Sequence, residues 1–306
     1  MVDLDTYKIK KLITILLFSS FALFGQEPIY NISSSNLHLL NYAYHTTNNT
    51  KILADNSFEY YNNDKIFNST NIYFDFAFRD RFAFGLNTNL NFQNNKNNKF
   101  GFDGIIKYKI IDGADSRLFI AVNLGLLKTN IYFPTLQMPY SFSDAKIDYL
   151  YINKTNLNIG FSSQYEYKKQ FIGFSLNHIN KPKLPFNDTQ IPIKYTAFIR
   201  NEFGRISSIL SYVYQNDIFN TEALNSYYGI ELTSILGQVS LLGGYKYLSN
   251  FNDIYSVGAF ININGLNLKY NFSILQDNYI NKTAMFHQIG INYYFYKIRR
   301  LSGAYL

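Results

Sequence analysis

Few residues in this chain combine the type and the spacing that chemistry requires. Its four histidines, His38, His45, His178 and His287, are scattered along the sequence. Serines cluster at Ser33-Ser34-Ser35, as composition alone produces. Nucleophilic catalysis needs a nucleophile and a base held together in one pocket. A G-x-S-x-G elbow, a phosphate-binding loop and an H-E-x-x-H pair are all absent from the sequence. Acidic residues and histidines fall in no metal-ligand spacing, and cysteine is absent, which excludes disulfides and thiolate metal sites. The sequence therefore predicts no enzyme, no cofactor and no metal. Triplets such as Asn153-Lys154-Thr155 match a glycosylation acceptor, but an Asn-rich chain produces them by chance.

What remains is a set of charges at alternate positions. Asp75, Arg79, Asp103, Lys107, Glu166, Glu231, Lys246 and Lys269 each fall on the polar side of an alternating segment. Such charges either pair with one another and fill an interior, or line a pore that selects solutes. The filled interior is the preferred reading; strand number does not decide between them.

The elements that must position these charges are strands. In 71–79, Ile72, Phe74, Phe76 and Phe78 oppose Asn71, Tyr73, Asp75, Ala77 and Arg79. Phe84, Leu86, Leu90 and Phe92 oppose Ala83, Gly85, Asn87, Asn89 and Asn91. The same pattern returns with Leu157, Ile159 and Phe161, with Leu268, Tyr270 and Phe272, and with Ile289, Ile291, Tyr293 and Phe295. Successive strand side chains point to opposite faces, so each segment has one apolar and one polar side. A soluble sandwich also alternates. These segments, however, often run to about ten residues, against about five or six in soluble sheets. Their apolar side is full of Phe and Tyr, and their polar side is rich in small and amide residues, as a barrel lumen requires.

The predicted fold is all-β: a transmembrane antiparallel β-barrel of about fourteen strands preceded by a signal peptide. Strand centres fall near Phe58, Phe76, Leu86, Ile106, Val122, Phe161, Phe174, Ala197, Leu210, Ile230, Gly243, Ala259, Tyr270 and Ile291. Asp112-Gly113 and Asn264-Gly265 read as hairpin turns, and Lys168-Lys169-Gln170 separates a further pair. Long loops are predicted at Thr129 to Ile152, Asn180 to Pro192 and Asp217 to Ala223.

Composition agrees. The chain holds 28 Tyr and 28 Phe and no Trp, with 18% aromatic and only 16% charged residues. Beyond the leader no apolar run is long enough for a transmembrane helix. The net charge of +7 includes the leader lysines, and no basic cluster interleaved with aromatics points to nucleic acid. Lys8, Lys10 and Lys11 precede the apolar stretch Leu12 to Phe24, the order of an export signal, with cleavage expected after Ala22 or Gly25. The expected organisation is a signal peptide over 1–25, a periplasmic or lumenal segment over 26–54, the barrel over 55–296 and a short basic tail over 297–306. The expected location is the bacterial outer membrane.

Three segments resemble the PorP/SprF family of outer-membrane proteins of the type IX secretion system. Leu40-Asn41-Tyr42-Ala43-Tyr44-His45-Thr46 is similar to the family's Leu-Asn-Pro-Ala-Tyr-Ala-Gly. Phe171 to Pro182, containing Gly173-Phe174-Ser175-Leu176-Asn177-His178-Ile179, is similar to its Gly-Leu-Ser-x-x-His-Leu. Met285 to Phe295 is similar to its closing strand, His-Glu-Ile-x-Leu-x-Tyr-x-Phe. The resemblance implies a barrel that assists export or surface attachment of a large secreted protein such as a gliding adhesin. Contact would run through that protein's C-terminal domain, alongside other type IX components and the lipid membrane. A channel or hydrophobic-solute transporter, with the N-terminal segment as plug, is the alternative. The expected partner contacts are apolar residues of the long loops: Tyr132, Phe133, Leu136, Met138 and Tyr140 in one, Leu184 and Phe186 in the other. His178 is expected to be a strand-end residue hydrogen-bonded locally, and His287 a structural residue of the last strand.

Overall fold

In a computed structural model, the chain forms a closed barrel of fourteen antiparallel strands, each paired with its neighbours in sequence and β1 with β14. The structure describes residues 37–44, 50–61, 64–78, 81–93, 97–133, 150–183, 190–216, 222–232, 238–248, 251–277 and 282–295. The signal peptide and the basic tail lie outside the described residues.

The strands are β1 (Thr50–Tyr61), β2 (Asp64–Ala77), β3 (Phe82–Gln93), β4 (Asn97–Asp112), β5 (Ser116–Phe133), β6 (Leu150–Tyr167) and β7 (Gln170–Asn177). Then come β8 (Lys194–Phe203), β9 (Ile206–Asn216), β10 (Glu222–Leu232), β11 (Val239–Leu248), β12 (Phe251–Ile263), β13 (Leu266–Asp277) and β14 (Lys282–Phe295). Each of the fourteen strand centres read from the sequence lies in a different strand. The first strand starts at Thr50, inside the stretch expected to precede the barrel, and it pairs with β14 from Thr50↔Phe295 onward.

Alternation makes the wall. On β2, Asn71, Tyr73 and Asp75 are buried inward while Phe76, and Phe78 just past its end, are exposed. On β5, Ala121 and Asn123 face in, and Val122, Leu124 and Leu126 face out. The exposed outer set is apolar around the barrel, from Phe84 and Leu86 through Ile172, Leu210 and Val257 to Ile289. Water would penalise that surface heavily; a lipid bilayer does not. Outer aromatics gather toward both ends: Phe78, Phe82, Tyr167 and Phe203 toward one, Tyr195, Tyr247 and Tyr255 toward the other. Such girdles mark the two bilayer interfaces, and the barrel resides in the bacterial outer membrane.

The connections differ between the ends. One end carries tight turns. Asn264 and Gly265 have φ of 48° and 87°, the pair of left-handed residues that a two-residue type I′ hairpin requires. Lys168-Lys169 and Gly204-Arg205 are similarly short. The longest connections, 134–149 and 178–193, lie at the other end. Short turns belong to the periplasmic side and long loops to the extracellular side. The β5–β6 hairpin runs further than expected. Tyr132 and Phe133 are the last residues of β5, paired with Tyr151 and Leu150, not part of a loop. Above the lipid band neither face needs to be apolar, so a strand loses its alternation there and reads as loop.

Candidate functional site: a plugged lumen

The lumen is occupied by the chain's own segment Leu37–Tyr44. A short 3-10 turn at Leu37–Leu39 leads into an extended stretch, and Leu37, His38, Asn41, Ala43 and Tyr44 are all fully buried. Two apolar clusters seat it. Leu37 and Tyr44 pack with Phe171, Phe198 and Ile209, with Leu40 beside them. Ala43 packs with Leu53, Tyr73, Ile105, Phe119 and Ala121, with Tyr42 beside them. Burying one large apolar side chain is worth about 1.5–3 kcal/mol, so these contacts hold the segment firmly.

Hydrogen bonds then fix its register. The Asn41 side-chain amide donates to the carbonyls of Ser163 at 2.8 Å and Phe174 at 3.1 Å, which face each other across β6 and β7. The Asn41 side-chain oxygen accepts from the Ala43 N–H at 2.8 Å. Ser175 Oγ donates to the Leu40 carbonyl at 2.6 Å. Tyr42 Oη accepts from Asn87 at 2.8 Å and donates to Asp103 at 3.2 Å. Arg200 donates to Tyr44 Oη at 2.7 Å and pairs with Glu202 at 2.5 Å. Each neutral bond adds about 0.5–1.5 kcal/mol net, and those to charged groups about 1.5–3 kcal/mol. Glycine makes the fit possible: a methyl group on Gly173 would run into the Phe198 ring and the Asn41 amide.

Of the charges read from the sequence, Lys107 and Asp103 reach this plug directly. Asp75 lies between Lys107 at 2.9 Å and Lys51 at 3.7 Å, and Lys107 also reaches the Tyr44 carbonyl at 3.4 Å. Asp103 accepts from Tyr42, from Asn158 at 3.1 Å and from Asn123 at 3.4 Å. Lys269 pairs with Asp55 on the inner face, both fully buried. Glu166 meets Arg117 at 3.4 Å toward the periplasmic rim, and Glu231 is buried on β10. Lys246 is on the inner register of β11, and Arg79 lies outside the described residues. Of the residues expected in the long loops, Leu136, Met138, Tyr140, Leu184 and Phe186 also lie outside them.

His178 follows β7 with a φ of 60° and shares a 2.8 Å hydrogen bond with Asn158. His287 faces outward among Tyr60, Tyr270 and Phe272. Sequence reasoning did not single out Lys51, Asp55 or Arg200. Lys51 lies in the unrecognised start of β1, and Asp55 at the first position expected of the barrel. Arg200 shares its face with Phe198, which breaks the polar pattern that would have flagged it. Inner apolar residues also occur away from the plug, at Leu242, Ile254, Phe260 and Phe286 on β11, β12 and β14. Among the described residues, no group of three His, Asp or Glu is placed to hold a metal.

No family model and no curated protein matches the chain. Several solved structures share its fold. The CymD monoaromatic hydrocarbon channel aligns with a TM-score of 0.59 at 10% identity, over 87% of this chain and 93% of that one. The toluene transporter TodX of Pseudomonas putida aligns at 0.58 with 9% identity, over 89% and 96%. The toluene transporter TbuX of Ralstonia pickettii aligns at 0.57 with 13% identity, over 90% and 96%. At these identities the likeness is one of fold.

Proposed function

We propose that the protein is a plugged outer-membrane channel that transports a small hydrophobic solute, with Leu37–Tyr44 as the element that must move for passage. The observation that carries this reading is the segment itself, seated across the lumen of a closed fourteen-strand barrel. The shared fold with the toluene transporters and the hydrocarbon channel supports it. The inner apolar residues Leu242, Ile254, Phe260 and Phe286 give such a solute an apolar surface inside an otherwise amide-rich lumen. The plug is held by non-covalent contacts alone, so displacing it breaks no covalent bond. Deleting the gene should slow uptake of radiolabelled toluene by intact cells, and restoring it should recover the rate. Unchanged uptake would remove the transport reading.

A second reading, export or surface attachment of a large secreted protein within the PorP/SprF family, is favoured by a specific contact. Two of the segments that carry that resemblance meet in the lumen. Asn41 of the first donates to Phe174 of the second, and Gly173 is the glycine that makes room for it. The segments thus form one working unit, the clip that seats the plug. On this reading, deletion removes one or a few large proteins from the cell surface and leaves toluene uptake intact.

A further inference from the structure

Among the described residues the wall is not equally high all round, and one flank of β6 extends beyond its neighbour. β6 pairs with β5 over its whole length, up to Leu150↔Phe133, but its pairing with β7 begins only at Phe161↔Leu176. The chain after β7 covers part of the gap. The Ile179 N–H donates to the Ile159 carbonyl at 2.9 Å, and Asn180 caps both Ile159 and Leu157. Asn156 reaches the Lys183 carbonyl at 2.6 Å, beyond Pro182. Above that point this flank of β6 is bare among the described residues. Ile159 turns its N–H and C=O away from β5, and backbone direction alternates along a strand. Asn153 and Thr155 therefore also turn both groups away from β5, and both residues are exposed.

This edge stands outside the bilayer. The outer face of the hairpin is apolar through Leu124, Leu126 and Leu157, then becomes Lys128 opposite Thr155 and Asn130 opposite Asn153. Among the described residues around it, Lys128 and Lys181 are exposed, and 128–130, 152–157 and 178–183 include no Asp or Glu.

We propose that the bare edge of β6, centred on Asn153 and Thr155, is a docking site for an extended acidic strand of a second polypeptide at the cell surface. Unpaired strand edges add a foreign strand through main-chain hydrogen bonds, and flanking side chains supply selectivity. The lysines select the occupant. They oppose pairing between two copies of this edge, as edge charges commonly do, and attract a strand carrying Asp or Glu. The proposal goes beyond the transport reading and does not depend on it.

The test uses the full-length protein in detergent micelles and a short fluorescent peptide of alternating threonine and glutamate. Two controls carry lysine in place of glutamate, or N-methyl groups on alternate backbone amides. The acidic peptide should bind, and each control should bind about tenfold more weakly or worse. Asn153→Pro with Thr155→Pro removes only N–H groups that point away from β5, so the β5–β6 ladder keeps its donors. That variant should lose about tenfold in affinity, as should Lys128→Glu with Lys181→Glu. Should the proline variant fail to assemble, the N-methylated peptide tests the same main-chain bonds from the other side. Absence of binding, equal binding of the N-methylated peptide, or dimerisation of the barrel through this edge would overturn the proposal. Conductance of the same preparation reads the plug separately, so the two readings fail independently.

Discussion

The two faces of the barrel wall obey different rules. Within the lipid band every outer position meets the same medium, hydrocarbon, so the requirement is one of class: Val122, Leu124, Leu126, Ile172 and Val257 are interchangeable apolar surface. On the inner face each position meets a particular neighbour. Asp75 answers Lys107 and Lys51, Asp103 answers Tyr42, Asn123 and Asn158, and Gly173 exists for Asn41 and Phe198. The outer face is a pattern and the inner face is a set of pairs. Substitutions outside should depend on polarity and depth, and substitutions inside on the identity of a single partner.

The largest effect should come from breaking the outer rule. Val122→Lys places a charge on the lipid face near the middle of β5 and should cost on the order of 2–4 kcal/mol. Its inward neighbour Asn123→Ala removes one bond to the Asp103 carboxylate, 3.4 Å long, and should cost about 1.5 kcal/mol, the low end for a bond to a charged group. Urea unfolding of the folded barrel in lipid vesicles measures both. Equal costs would mean that the two faces are not distinct.

Next in size is the pairing of plug and wall. Arg200→Gln removes the charged donor to Tyr44 Oη and should cost about 1.5–3 kcal/mol. Tyr44→Phe in that background should add almost nothing, because the partner is already gone. Additive losses in this double-mutant cycle would show that Arg200 and Tyr44 act separately. Gly173→Ala crowds Phe198 and Asn41 and should cost about 1–3 kcal/mol depending on how far the plug yields. Combining it with Asn41→Gly should relieve part of that cost; no relief would place the strain elsewhere in the wall.

The same difference explains what was legible in the sequence. The outer pattern needs only residue class, which is why a strand centre could be placed in each of the fourteen strands. The start of β1 was obscured because Leu53 is apolar yet faces inward, onto Ala43 and Tyr73. Its inner position answers to the plug, not to the lumen as a polar space. Phe198 hid Arg200 in the same way. The plug has no period at all: eight residues held by partners spread along the chain, from Asn87 on Tyr42 to Arg200 on Tyr44, leave no local signature. The top of the β5–β6 hairpin read as loop because strand continues there without lipid to enforce alternation.

The central claim is that Leu37–Tyr44 closes the lumen. Single-channel recording in planar bilayers tests it most directly, on the intact protein and on a variant lacking 37–44. The intact barrel should carry no steady current, and a large, stable conductance should appear once the segment is removed. A steady current through the intact protein, or a deletion variant that assembles and stays closed, would contradict it.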